Sequence, residues 1–265
     1  MWFSMFLSFY PEKIGTSCGS IYKYTMKFVL KLSYNGTAYH GWQTQNNAIS
    51  VQQLIETGFE KIAGFALELT GCGRTDTGVH ASCYYAHFET DEILDKEIVY
   101  KLNAVLPPDI AIEYCKPTDD SFHARFSAIS REYRYFIHSH KDPFLTDRSF
   151  FISKKLDLEA MNRACEILKE YEDFSSFCKK GADNKTMICK ILAANWMKKN
   201  NQFIFTIIAD RFLRNMVRAI VGAMVDVGLN KISLEDFRKI IEKKNNQFTG
   251  TSVPACGLYL WDVRY

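Results

Sequence analysis

The pattern that most constrains this fold is two-residue alternation, repeated along the chain and interrupted by helical periodicity. Phe28, Leu30, Leu32 and Tyr34 alternate with Lys27, Lys31 and Ser33. Side chains of a strand point to opposite faces in turn, so the pattern predicts a half-buried strand over 27–34. Asn35-Gly36 follows as a turn. Val51, Leu54, Ile55, Phe59 and Ile62 then recur at helical spacing up to Gly64. A short strand is expected at 66–69, then a Gly-rich loop at 71–78 and a strand at 84–89. A helix through Ile98, Leu102 and Val105 stops at Pro107-Pro108, and a strand follows at 110–115. The first half therefore reads β-α-β-β-α-β.

The second half opens with a strand at 131–138, with Tyr133, Tyr135 and Ile137 on one face and Arg134, Phe136 and His138 on the other. A helix at about 157–170, a hairpin at about 187–210 turning at Lys199-Asn200-Asn201, and a helix over 211–227 are expected next. A further helix is capped by Ser233 with Asp236 three residues on, and a last strand covers 257–264. Strands outnumber helices and several are hairpin-linked, which predicts an α+β fold. Its two similar α/β halves, 26–130 and 131–265, share a mixed, mostly antiparallel sheet with the helices on one side. No Gly, Pro or Ser-rich linker separates the halves.

Residues 1–10 are apolar but carry no basic segment, and the run ends at Pro11-Glu12-Lys13. It is far short of the ~20 residues that span a bilayer, so neither a signal peptide nor a membrane helix is expected. Met26 reads as a sufficient start, and 1–25 as a dispensable extension. With 47% hydrophobic and 24% charged residues the chain has the balance of a soluble globular protein. Its eight cysteines, at 18, 72, 83, 115, 165, 178, 189 and 256, form no Cys-x-x-Cys. That spread suits reduced thiols in a cytoplasm. Cys72, His80, Cys83 and His87 match no standard zinc spacing, and no metal site is expected. The net charge of +3 says little about partners, because phosphate contacts depend on local charge.

The candidate chemistry lies in the loop. Gly71, Gly73 and Gly78 surround Arg74-Thr75-Asp76, a density of glycine that permits unusual backbone angles and close approach of a ligand. Arg74, two residues from Asp76, is placed to favour the ionised carboxylate, which suits a nucleophile or base. A surface turn with an Asp–Arg contact fits the same residues equally well. Asp76-Thr77-Gly78 spells the triplet of aspartic proteases, but those need two carboxylates and no second triplet exists. The G-x-x-x-x-G-K-[S/T] phosphate loop is absent. On a helix over 211–227, Arg211, Arg214 and Arg218 fall within a 60° arc opposite Leu213, Met216, Val217, Ile220 and Met224. One face that carries three arginines and no acid favours phosphate or carboxylate contact.

The run Gly73-Arg74-Thr75-Asp76-Thr77-Gly78-Val79-His80-Ala81 resembles the signature of the TruA family of tRNA pseudouridine synthases. Seven further blocks agree in order. They are Tyr39-His40-Gly41-Trp42-Gln43-x-Gln45, Leu106-Pro107-x-Asp109-Ile110, Phe122-His123-Ala124-Arg125-Phe126-Ser127-Ala128 and Arg131-x-Tyr133-Arg134-Tyr135. In the second half follow Asp173-Phe174-x-x-Phe177, Phe212-Leu213-Arg214-Asn215-Met216-Val217-Arg218 and Gly257-Leu258-Tyr259-Leu260. The resemblance spans about 27–265. Cys72 stands where the family usually has another small residue, and Thr77 where Ala is common.

The resemblance implies the pseudouridine synthase fold with a central RNA-binding cleft, and isomerisation of uridine at positions 38, 39 and 40 of the tRNA anticodon stem-loop by a homodimer. Asp76 would be the essential carboxylate, attacking C1′ or abstracting the 2′ proton, with Arg74 beside it. Tyr133 would lie against the uracil and Arg218 beside Asp76. On periodicity alone Tyr133 is a core residue. Arg211, Arg214, His123, Arg125, Arg131 and Arg134 are RNA-binding candidates, with Lys179 and Lys180 weaker ones. The reaction transfers no group and involves no redox step, so no cofactor or metal is expected. The alternative is an RNA-binding protein of the same fold that has lost catalysis, which the intact Arg74-Thr75-Asp76 loop with Tyr133 and Arg218 argues against.

Overall fold

The computed structural model describes residues 25–181, 185–245 and 252–265. The expected extension over 1–25 lies, except for Thr25, outside the described residues. Among the described residues, nine strands form one sheet. They are β1 (Met26–Tyr34), β2 (Thr70–Gly71), β3 (His80–Thr90), β4 (Ile110–Pro117), β5 (Ser130–His138), β6 (Phe150–Phe151), β7 (Ile191–Lys199), β8 (Gln202–Ala209) and β9 (Leu258–Arg264). The order is β4-β1-β3-β9-β5-β8-β7, with β2 on β3 and β6 on β5. Only β3–β9 and β5–β6 pair in parallel, so the sheet is mixed and mostly antiparallel.

Five helices accompany it among the described residues: α1 (Val51–Ala63), α2 (Ile98–Val105), α3 (Leu158–Leu168), α4 (Met216–Gly228) and α5 (Leu234–Glu242). Directly paired residues share a face. Phe28 and Phe88, Leu30 and Ala86, and Leu32 and Tyr84 therefore point together. They pack with Val51, Ile55 and Phe59 of α1 and Ile98 and Leu102 of α2 in one core. Tyr135, Ile137, Phe203 and Phe205 form a second core with Met161 of α3, Ile220 and Met224 of α4 and Phe237 of α5. Ala81 faces Leu260, which faces Tyr133, and Tyr133 packs against both cores. The two cores thus lie side by side against one face of the sheet. The opposite face carries His80 stacked on Tyr259 and Arg134 over the Trp261 ring. No described helix is long and apolar enough to cross a membrane.

Three expectations need correction. The strand expected at 66–69 shrinks to Thr70–Gly71. Side chains of α1 take the backbone groups a ladder would use: Glu56 accepts from the Leu69 N–H at 2.8 Å and Gln52 donates to the Leu69 carbonyl at 3.1 Å. The following strand starts at His80 rather than 84, so it begins directly after the Gly-rich loop. The helix expected from 211 starts at Met216. Before it, Asp210 accepts from the N–H groups of Arg211 and Lys190, and Asn215 takes a left-handed conformation with φ of 67°. By contrast, the Ser233–Asp236 capping box forms as expected.

The segment joining β4 to β5 passes His87, whose Nδ1 accepts from the Ala124 N–H. Burial, reinforced by His123 and Lys27 and opposed by Glu89 and the Thr70 carbonyl, pushes His87 from 6.5 down to about 4. Folding therefore favours the neutral ring. Its stabilising contribution is complete above pH 6.5 and is lost as pH falls through 4. His87→Asn is expected to remove on the order of 2 kcal/mol of acid destabilisation between pH 7 and 4. Urea unfolding at the two pH values measures it. An equal loss in both proteins would refute the assignment.

Candidate active site

The loop that carries Asp76 rests on an aromatic floor. Trp42 and Tyr84 stack with ring centres 4.0 Å apart beneath Gly71, where a Cβ would stand 2.1 Å from the Tyr84 hydroxyl. The Tyr84 hydroxyl donates to the Gly73 carbonyl. Cys72 is fully buried and its thiol is pushed up to about 12 by desolvation, so it is inert as a nucleophile. Thr75 is pinned inward: its hydroxyl shares a 2.8 Å hydrogen bond with Tyr34, and its carbonyl accepts from the Trp42 N–H at 3.3 Å. Gly41, at φ of 87°, approaches that carbonyl so closely that a Cβ would lie 2.2 Å from it. Val79 N–H donates to the Asp76 carbonyl and closes the turn. With Thr75 turned in, Asp76 turns out, its side chain 29% exposed.

The opposite wall comes from the second half of the chain. Arg214 Nε lies 3.6 Å from Asp76 Oδ1 and Arg218 Nη1 lies 3.9 Å from Oδ2. Both separations exceed a hydrogen bond, so the carboxylate is flanked by positive charge while its oxygens keep lone pairs available to a third group. Arg218 is the fixed partner, 22% exposed and donating from Nε to the Val253 carbonyl at 2.8 Å. Arg214 is the more open one, 57% exposed. Tyr133 stands on β5 with Phe212 edge-on at 4.9 Å. Burial raises the Tyr133 phenol above its usual range, and Cys72 and Asp76 push the same way. Such an array can hold a carboxylate as nucleophile, base or counter-charge beside an aromatic wall.

The other candidates scatter. Arg74 is exposed, and among the described residues no ion pair joins it to Asp76. The cations at Asp76 come from the facing half instead. The three-arginine helix face does not exist, because Arg211 and Arg214 precede α4 and only Arg218 lies on it. Arg211 donates to the Thr186 and Ile188 carbonyls. Arg134 sits on the face opposite Tyr133, paired with Glu132 at 2.7 Å. His123 accepts from the N–H groups of Arg125 and Phe126, and the exposed Arg125 lies over the Phe126 ring. Arg131 donates to the carbonyls of Cys72, Arg125 and Asp210. Lys179 and Lys180 are exposed, and the Lys179 N–H binds the Arg214 carbonyl.

Sequence reasoning missed Tyr34 and Phe212. Phe212 belongs to the family-like run Phe212-Leu213-Arg214-Asn215-Met216-Val217-Arg218, and its place there was the available signal. Among the described residues, no three His, Cys, Asp or Glu side chains gather to hold a metal ion. His80 accepts from Gly36 N–H at Nδ1 and contacts the Cys256 carbonyl through Nε2, so both ring nitrogens are engaged.

Comparison with known proteins follows the same lines. The family model described as tRNA pseudouridine synthase matches residues 165–265. A protein named tRNA pseudouridine synthase A from Azobacteroides pseudotrichonymphae is 47% identical over 240 residues, covering 90% of this chain and 96% of its own. Namesakes from Parabacteroides distasonis and Bacteroides fragilis are 44% and 46% identical, each over 90% of this chain and 96% of theirs.

Proposed function

Because this chain belongs to the tRNA pseudouridine synthase A family, we infer that it isomerises uridine to pseudouridine in tRNA, with Asp76 as the essential carboxylate. The observation that carries this reading is the half-buried Asp76 side chain, turned outward beside the buried Thr75 and flanked by Arg214 and Arg218. The N1–C1′ bond of the target uridine breaks, the uracil turns, and C5 bonds to C1′ while its proton leaves and N1 gains one. Asp76 either attacks C1′ or takes the 2′ proton. The target base must leave its stack at a cost of a few kcal/mol, which an aromatic wall of Tyr133 and Phe212 offsets in part. Arg218 keeps the carboxylate oriented, and Arg74 approaches the same strand from the exposed side of the loop.

The proposed substrate region is the anticodon stem-loop, at positions 38, 39 and 40, and the working form is a cytoplasmic homodimer. The half over 26–130 supplies Asp76 and the half over 131–265 supplies Tyr133 and the arginines, with the RNA in the cleft between. Purified protein given tRNA tritiated at uracil C5 is expected to release tritium in step with pseudouridine formation. Tight tRNA binding without release would defeat this reading.

Arg214, exposed beside Asp76, is the leading phosphate ligand. Arg214→Ala is expected to weaken tRNA binding and reduce the slope of log K against log salt by about 1. An unchanged slope in filter binding would show that Arg214 touches no phosphate.

A further inference from the structure

We propose that Arg131 is a positioning residue of this reaction, its guanidinium holding the Asp76 loop in register with the arginines that face it. The proposal rests on the pseudouridine synthase reading above. Arg131 Nη2 donates to the carbonyls of Cys72 at 2.8 Å and Arg125 at 2.7 Å, Nε to Cys72 at 3.2 Å, and Nη1 to Asp210 at 3.1 Å. Two of the three carbonyls belong to segments that bear part of the site. Cys72 precedes Asp76 by four residues, Asp210 precedes Arg214 by four, and Arg125 lies in the loop that carries His123 and Phe126. Arg131 itself stands two residues before Tyr133 on β5.

The chemistry of the contacts separates this role from phosphate binding. All three acceptors are neutral backbone oxygens, and no carboxylate pairs with Arg131 among the described residues. A planar guanidinium presents five N–H groups in a fixed fork, which lets one side chain serve three carbonyls; an ammonium has no such fork. Donors already directed at protein carbonyls are not free for phosphate. Cys72 is also held at its own N–H by the Tyr85 carbonyl at 2.8 Å, so the loop is gripped on both sides where it leaves β2. A shift of the Asp210 segment relative to Cys72 therefore changes the separation of Asp76 from Arg214 and Arg218. Misplacement by about 1 Å lowers a rate by on the order of a hundredfold.

The test compares wild type, Arg131→Lys and Arg131→Gln in tritium release and tRNA binding, at a temperature where circular dichroism shows each protein folded. Wild type must turn over; its failure would sink the function reading and leave the positioning role aside. Arg131→Lys is expected to lower kcat by about 10- to 100-fold. KM and the salt slope of binding should stay unchanged. In a cycle with Arg214→Ala the two losses should fall short of multiplying, since both alter the setting of Asp76. A salt slope lower by about 1 with kcat intact would make Arg131 a phosphate ligand and overturn the proposal. So would an unchanged kcat, fully multiplicative losses, or failure of both variants to fold, which would mark a merely structural role.

Discussion

Asp76→Asn is expected to lower the single-turnover rate of pseudouridine formation by at least about a thousandfold while tRNA binding is retained or strengthened. The amide is nearly isosteric with the carboxylate, so the turn closed by Val79 N–H on the Asp76 carbonyl persists. What disappears is the charge. An amide neither attacks C1′ nor takes a proton at neutral pH, so both routes open to Asp76 close together. Binding responds the other way because Arg214 and Arg218 at 3.6 and 3.9 Å lose their negative neighbour. Two guanidiniums no longer offset by Asp76 attract the RNA backbone more strongly. Single-turnover tritium release and filter binding, measured on the same preparation, separate the two effects. Release within tenfold of wild type would remove Asp76 from the chemistry.

Gly41→Ala is expected to destabilise the protein by at least about 3 kcal/mol, a drop of roughly 6–12 °C in Tm for a chain of this size. Two costs coincide at this position. The backbone sits at φ of 87°, which a residue with a Cβ adopts at an expense of about 1–2 kcal/mol. The added carbon would also stand 2.2 Å from the Thr75 oxygen, and that neighbour is backbone. Thr75 cannot yield without dragging Asp76, so activity should fall further than the loss of folded protein explains. Tyr34→Phe is the milder comparison, since it removes only the buried hydrogen bond to Thr75, worth about 1–2 kcal/mol. Calorimetry of both variants orders the effects. A Tm for Gly41→Ala within a degree or two of wild type would show that the loop does not depend on this contact.

Elements were legible where periodicity alone decides them. The alternation over 27–34 and 131–138 became β1 and β5, and it already placed Arg134 on the face away from Tyr133. Illegible stretches were those settled by side chains bonding to backbone. Nothing in Ala66-Leu67-Glu68-Leu69 announces that Gln52 and Glu56 will occupy the groups of Leu69. Arg211-Phe212-Leu213-Arg214 has helical periodicity, yet Asp210 and the left-handed Asn215 hold it out of α4. The Gly-rich loop marked Asp76 as a candidate without choosing between turn and chemistry. Its partners Arg214 and Arg218 lie well over a hundred positions away, and helical spacing groups them only if the helix begins at 211, whereas α4 begins at Met216. Tyr133 needed the family resemblance, because its alternation fits a core residue equally well.

The order β4-β1-β3-β9-β5-β8-β7 places β9, which follows the other eight described strands in sequence, at the middle of the sheet. Without β9, β3 and β5 have no strand between them, and the order falls into two parts, β4-β1-β3 and β5-β8-β7. Asp76 then belongs to one and Tyr133, with Arg214 and Arg218, to the other. Without β9 the pieces of the site therefore have no strand pairing to align them. Long-range closure of this kind is slow compared with local folding. Insertion of Leu258–Arg264 acts as the closing stitch: its pairing with β3 on one side and β5 on the other joins the part of the sheet that carries Asp76 to the part that carries Tyr133.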